Sequence, residues 1–394
     1  MREKTFRIAL LFNANKAYDR QIIEGIGEYL HSSHTLWDVF IEDDFRSNIV
    51  KIGNWDVDGI ISDCDDVAVE QELTKLSLPV VGIGGSYFSK NDFPPLHYVA
   101  TDNEGLVRVA LDHLMNKGIH HFALYSFPAC RNKRWAKERE QAFTRCLQQK
   151  NRQGLIYRGH DINIDNWQQA QHHLINWVAS LPEGTGIVAV TDSRARHLLQ
   201  VCENLHIPVP EKIAIIGIDN EELTQYLSRI SLSTVVHGSK KMGYRAAELL
   251  HRLLKQRVMP LQRIVVPPHK LIERRSSDYR SIMDPYVIQA MHYIRNNACR
   301  GIKVEQVISF VGLSRTNLEM RFKEHVGLTI HAIIHNEKIN NARNLLINTS
   351  LSLKDISRIA GYPSLQYFYL VFKKTYKVTP KEYRTHYHMH HADE

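Results

Sequence analysis

Five times along this chain a short apolar run ends in carboxylate, amide or guanidinium side chains: Asp19 with Arg20, Asp63 to Asp66, Asp102 with Asn103, Asp192, and Asp219 with Asn220. A single Asp or Asn after a strand ordinarily caps the next helix. Recurrence after five runs asks for a further reason. Carboxylates only accept hydrogen bonds and guanidinium groups only donate them, so together they satisfy hydroxyls, which do both. That is the chemistry of a small polyol. Trp135 and Arg139 lie four residues apart and so share one face of a helix. There an indole covers the C–H side of a ring while the guanidinium reaches its hydroxyls.

Enzymatic signatures are sparse. Gly25 and Gly27 fall inside a helical pattern, and Gly82, Gly84 and Gly85 lack the spaced third glycine of a dinucleotide loop. No GxSxG elbow, phosphate loop or HExxH occurs. No catalytic residue, metal site or cofactor is expected. The tail histidines His386, His388, His390 and His391 are read as a tail with incidental metal affinity. A sugar-modifying enzyme with an appended helical domain stays open as the alternative, because several aspartates can nominally form an acid/base pair.

The elements that must position these residues alternate. Strand-like runs are Ile8–Phe12, Val39–Ile41, Gly59–Ser62, Val80–Ile83, Tyr98–Ala100, Phe122–Tyr125, Ile187–Val190 and Ile213–Ile218. Helical patterns cover Arg20–Leu30, Glu104–Asn116, Lys133–Leu147, Trp167–Val178 and Ala195–Leu205. Such alternation predicts doubly wound parallel sheets, and ten or so strands fit two lobes better than one. Ligands of open α/β sheets sit beyond the carboxyl ends of the strands, where the polar residues above recur.

Composition sets the remaining bounds. No apolar run reaches a membrane-spanning length, and the first apolar stretch is too brief for a secretory signal. Five scattered cysteines without a CxxC pair suit a reducing compartment, so a cytoplasmic protein is expected. The formal charge of +8 is unevenly spread: Pro285 to Glu394 holds 15 Lys/Arg against 8 Asp/Glu, the first 284 residues 35 against 34. A neutral body with a basic end is the electrostatic footprint of a nucleic-acid reader.

The basic end contains a degenerate repeat. Val307, Val311, Gly312, Leu313, Ser314, Leu318 and Phe322 have counterparts in Ile356, Ala360, Gly361, Tyr362, Ser364, Phe368 and Phe372. Each copy reads as helix, glycine turn, serine N-cap and second amphipathic helix, the layout of a helix-turn-helix. Two recognition helices about one DNA turn (~34 Å) apart can enter successive major grooves. Base contacts are expected from Thr316, Glu319, Met320, Gln366 and Tyr369, and phosphate contacts from Arg315, Lys323, Lys373 and Lys374.

Two family resemblances bear on these readings. The run IPVPEKIAIIGIDNEEL (Ile207–Leu223), AVTDSRARHLLQVCENL before it and VPPHKLIERRSS (Val266–Ser277) resemble LacI-type sugar regulators over residues 5–277. This implies a hinged, periplasmic-binding-protein-like sensor with an effector in its cleft, and Arg139, Asp192 and Asp219 match that family's sugar-contacting positions. LacI-type chains carry their helix-turn-helix ahead of the sensor, whereas this chain enters its first strand at once. The segment GYPSLQYFYLVFKKTYKVTPKEYR (Gly361–Arg384) resembles the AraC/XylS signature, with the match spanning about 285–386. The order of the two, with LLFNANKAYDRQ (Leu10–Gln21) and MHYIRN (Met291–Asn296), resembles the xylose-responsive subgroup of enteric AraC/XylS regulators. That implies D-xylose as effector, a homodimer on operator DNA, RNA polymerase as a further partner and activation of xylose catabolic genes. Residue chemistry alone reaches only a small polyol, and another pentose remains an alternative.

The expected organisation is a two-lobed α/β sensor (1–274), a linker (275–284), an all-α domain with two helix-turn-helix motifs (285–386) and a His-rich tail (387–394). Sugar is expected to bridge Asp19, Arg20 and Asp66 on one lobe with Trp135, Arg139, Asp192, Asp219 and Asn220 on the other.

Overall fold

Short apolar runs separated by amphipathic stretches build two six-stranded sheets in the computed structural model. The structure describes residues 5–42, 52, 54–85, 93–129, 133–161, 165–255, 259–279, 284–349 and 351–391, without the side chains of 225–226, 348 and 387–391. By contacts the chain divides into two units, Met1–Arg280 and Ser281–Glu394.

The first lobe of the first unit comprises β1 (Phe6–Leu11), α1 (Ala17–Ser32), β2 (Trp37–Glu42), β3 (Gly59–Asp63), α2 (Val67–Leu73), β4 (Val80–Gly85) and β5 (His97–Thr101). The second holds α3 (Asn103–Asn116), β6 (His121–Tyr125), α4 (Arg134–Gln148), β7 (Gly154–Tyr157), α5 (Trp167–Ser180), β8 (Thr185–Ala189), α6 (Asp192–Asn204), β9 (Ile213–Ile218), α7 (Glu222–Leu227) and β10 (Ser233–Val236). The chain then returns to the first lobe through α8 (Ser239–Lys255) and β11 (Arg263–Val266), and ends in the second with β12 (Lys270–Ile272). The sheet orders are β11-β5-β4-β3-β1-β2, all parallel, and β12-β10-β9-β8-β6-β7, parallel except for β12.

Strand alternation sends Ile8 and Leu10 to one face of the first sheet, with Ile22, Ile26 and the α8 residues Met242, Ala246 and Leu250. Ala9 and Leu11 join Ile60, Val69 and Tyr98 on the other. Helices α1 and α8 meet backbone to backbone: a Cβ on Gly25 would lie 1.8 Å from the Lys240 carbonyl oxygen, and one on Gly243 1.9 Å from that of Ile22. Gly25 of α1 and Gly243 of α8 therefore serve helix packing.

The lobes are joined by three crossovers: β5 to α3, β10 to α8, and β11 to β12. They are bonded to one another, Asp102 N–H donating to the Val266 carbonyl and His269 N–H to that of Val236. Twelve strands among the described residues exceed the ten or so expected. The missed ones, β7, β10, β11 and β12, have only three or four residues, too few to show alternation.

Of the stretch 275–284 expected as a linker, Arg275–Ser277 form a 3-10 turn on the second lobe with Ser276 and Ser277 fully buried. Ser276 Oγ donates to the Ile215 carbonyl on β9. Residues 280–283 and the side chains of the His-rich segment 387–394 lie outside the described residues.

The second unit is all helical: α9 (Pro285–Asn297), α10 (Val304–Val311), α11 (Arg315–His325), α12 (Ile330–Asn348), α13 (Leu353–Ile359), α14 (Leu365–Tyr376) and α15 (Pro380–His391). Asp284 caps α9, with Pro285 at the first helical position, where no N–H is needed. Ser314 and Ser364 cap α11 and α14 through the N–H groups of Asn317 and Tyr367. The turns before them use Gly312 and Gly361, both at φ 76°. One core joins Val287, Val307, Leu318 and Phe322, and a second joins Ile339, Ile356, Phe368 and Phe372.

Candidate effector cleft and nucleic-acid interface

The carboxyl ends of both sheets carry the polar residues singled out above. Arg139 on α4 is 4% exposed and bonds to three segments: Nε donates to Asn103 Oδ1 (2.9 Å), Nη1 to the Val190 carbonyl, and Nη2 contacts His237 Nε2 (3.0 Å). Trp135, one turn earlier, stacks on this guanidinium with 4.8 Å from its carbon to the ring centroid. Asp219 Oδ1 lies 3.0 Å from the same His237 nitrogen. Asp219 and Asn220 follow β9 at φ 129° and 58°, backbone that non-glycine residues adopt at a cost. Asp192 is buried, accepts from Thr234 Oγ1 (2.7 Å) and Glu221 N–H (2.9 Å), and lies over Gly217, where a Cβ would come within 2.1 Å of its carboxylate. Asn220 accepts from Arg274.

On the first lobe the expected trio divides. Asp19 is 1% exposed, accepts from Asn13 N–H and pairs with Lys16. Arg20 is exposed and donates to the Ala14 carbonyl, so it is not brought to the other site residues. Asp66 is also exposed and caps α2 through Ala68 N–H. The inward carboxylates of the Asp63–Asp66 run are Asp63, 4% exposed and 3.8 Å from Lys16, and Asp65, which accepts from Gly85 N–H at the end of β4 (2.8 Å). Capping holds the last residue of the run at the start of α2, outside this inward pair.

Three further residues belong to this cluster. Asn103 bridges Arg139 and Glu138, donating through Nδ2 to Glu138 Oε2. A Cβ on Gly85 of the first lobe would lie 3.0 Å from Glu138 Oε2 of the second. His237 sits on the crossover between β10 and α8, its ring edge-on to Tyr18 of α1 with centroids 5.2 Å apart. Asn103 and Glu138 neighbour residues already named in the sequence. His237 follows a strand too short to be recognised. A cross-lobe ion pair, Arg134 to Glu70 at 2.8 Å, closes one edge.

Burial beside Asp63 pushes the Asp65 carboxyl up to about 7. Burial also raises Asp192, with Asp219 adding to it, and raises Asp219 against the opposing pull of Arg139. His237 is held well below its ordinary value by burial and by Arg139. Carboxylates that are costly to ionise when empty are suited to ligands that donate hydrogen bonds to them.

In the second unit Thr316, Met320 and Lys323 are exposed on α11, and Gln366, Lys373 and Lys374 on α14. Arg315 is exposed but engaged by Glu319 (3.0 Å) and Glu305 (3.2 Å). Tyr369 is half-buried against the second core, whereas Tyr367 and Leu370 are 51% and 64% exposed.

Family models match in the same order as the units: an N-terminal domain of the XylR type over residues 7–104, a periplasmic binding protein-like domain over 111–277 and a helix-turn-helix domain over 309–386. The Xylose operon regulatory protein of Escherichia coli K12 is 61% identical over 97% of this chain and 97% of its own length. This chain belongs to the xylose operon regulatory protein family. Its members are transcription regulators, not enzymes. The Haemophilus influenzae member is 50% identical over 98% of this chain and 99% of its own. Among solved structures, a xylose-binding transcription activator superposes with a TM-score of 0.89 at 59% identity, over 98% of this chain and 99% of that one. A lac repressor dimer on its operator shares the sensor fold alone, at 17% identity and TM-score 0.55 over 70% of this chain and 95% of that one.

Proposed function

We propose that this protein is a D-xylose-responsive activator of transcription, closing its two lobes on the sugar and reading operator DNA with two recognition helices. The observation that carries the reading is the cluster of Arg139, Asp219 and Trp135 at the sheet ends, in a chain whose full length matches a family of xylose regulators. Asp19 and Asp65 face the sugar from the first lobe; Trp135, Arg139, Asp192, Asp219 and Asn220 face it from the second. Pyranose hydroxyls donate to the carboxylates and one accepts from the guanidinium, while the indole covers the ring. Sugar favours the closed lobes because only there do both halves contact it.

The sensor runs through the turn Arg275–Ser277 and the reader starts at the Asp284 cap, in place of the bounds 1–274 and 285–386. Thr316, Glu319, Met320, Gln366 and Tyr369 address bases, and Arg315, Lys323, Lys373 and Lys374 address phosphates. The protein works in the cytoplasm as a homodimer and recruits RNA polymerase. No helix among the described residues is long and apolar enough to cross a membrane.

Calorimetric titration of the full chain with D-xylose, L-arabinose, D-ribose and D-glucose tests the effector. Duplex DNA selected by the protein from a random pool, with and without sugar, tests the response. Preference for another pentose corrects the effector. Absence of both sugar binding and DNA selection overturns the reading.

A further inference from the structure

One nitrogen in the cleft is asked to do two incompatible things. Arg139 Nη2 can only donate, so at 3.0 Å from His237 Nε2 it requires a lone pair there. Asp219 Oδ1, also at 3.0 Å from that nitrogen, requires a proton there when ionised. Neutral imidazole carries one N–H and one lone pair, on different nitrogens. Its other nitrogen, Nδ1, is buried without a hydrogen-bond partner among the described residues, so competition is confined to Nε2. The groups facing the ring are Arg139 and Asp219 from the second lobe and Tyr18 from the first. The ring itself is carried by the crossover that joins β10 to α8.

We propose that His237 couples sugar occupancy to lobe geometry by exchanging the partner of its Nε2, Asp219 in the empty cleft and Arg139 in the occupied one. This rests on the sugar reading of the cleft given above. In the empty state the proton sits on Nε2 and bonds to the Asp219 carboxylate, and the Arg139 guanidinium is repelled by that N–H. A sugar hydroxyl donating to Asp219 satisfies the carboxylate. The imidazole then releases its Nε2 proton to water and takes one at Nδ1, keeping one proton throughout. The bared Nε2 lone pair accepts from Arg139. Arg139 is also bonded to Asn103, at the crossover from β5 to α3. Docking on His237 therefore ties two of the three crossovers through one side chain. His237 is a positioning residue: it acts through Asp219 and Arg139.

The test is the tautomer itself. Full-length protein labelled with 15N-histidine is compared with and without D-xylose, the His237 signals being identified by their loss in His237→Gln. The expected result is that Nε2 changes from pyrrole-type to pyridine-type on adding sugar and Nδ1 the reverse. The same tautomer in both states, or a doubly protonated ring, overturns the proposal. Glutamine in place of His237 donates to Asp219 and accepts from Arg139 at once, which removes the choice. At saturating xylose, His237→Gln should lose about tenfold of the sugar-dependent gain in affinity for the selected DNA, within the usual range of allosteric coupling. A full response in this variant also sinks the idea. Wild-type protein that binds no xylose calorimetrically fails the underlying reading instead, which keeps the two failures apart.

Discussion

Arg139 bonds to Asn103, Val190 and His237, all at crossovers or strand ends, so its removal strips from the cleft a strut as well as the proposed sugar donor. Arg139→Ala should weaken xylose binding by roughly 2–5 kcal/mol, the range for truncating one partner of a buried charged pair. Calorimetric affinity equal to wild type would remove Arg139 from the site. The raised carboxyls give a second expectation at this scale. Asp65 and Asp192 sit above their ordinary range when the cleft is empty, and sugar hydroxyls favour the ionised forms. Binding then releases protons, so xylose affinity should rise with pH from the carboxylate range towards about 7. Titrations in buffers of different ionisation enthalpy detect that release; proton uptake would contradict it. On the DNA side, Gln366 lies two residues after the Ser364 cap, while Lys374 lies two turns further on. Gln366→Ala should cost ~1–3 kcal/mol on the selected DNA and flatten preference at one base. Lys374→Ala should weaken all sequences alike and reduce the salt slope by about one unit.

At the scale of elements, the contact between α1 and α8 holds the first lobe to the segment returning from the second. It depends on missing side chains. Gly243→Ala would place a methyl group 1.9 Å from the Ile22 carbonyl oxygen, and backbone cannot yield as a side chain does. Overpacking of this kind costs ~1–3 kcal/mol or more, read as a lower urea midpoint of the first unit. Gly27, on the same α1, has nothing within 4 Å of its added Cβ. Gly27→Ala should be neutral or stabilising by up to ~1 kcal/mol through helix propensity. Equal effects at the two glycines would mean that helix packing is not what fixes them.

For the whole molecule, the second unit contains two closed cores, its own caps and both recognition helices. A fragment from Asp284 to Glu394 should therefore unfold cooperatively on heating and bind the selected DNA without responding to sugar. An unfolded fragment, or one that still answers to xylose, would show that the sensor completes the DNA-binding surface instead of positioning it.

The helix-turn-helix pair was legible in the sequence because its determinants are local. Ser314, Ser364, Gly312 and Gly361 act on backbone within a few residues of themselves, and the structure places each in its expected role. The alternating runs of the sensor were legible for the same reason, down to the four-residue strands that carry too few positions for a period. Which carboxylates of Asp63–Asp66 face inward was not local. Asp66 is spent on a cap, and Asp65 is chosen by the Gly85 N–H twenty residues away. Nor could the sequence bring His237, Arg139 and Asp219 onto one nitrogen, since they arrive from a crossover, a helix and a strand end. Their meeting depends on the order of strands across two sheets, which only the folded chain decides.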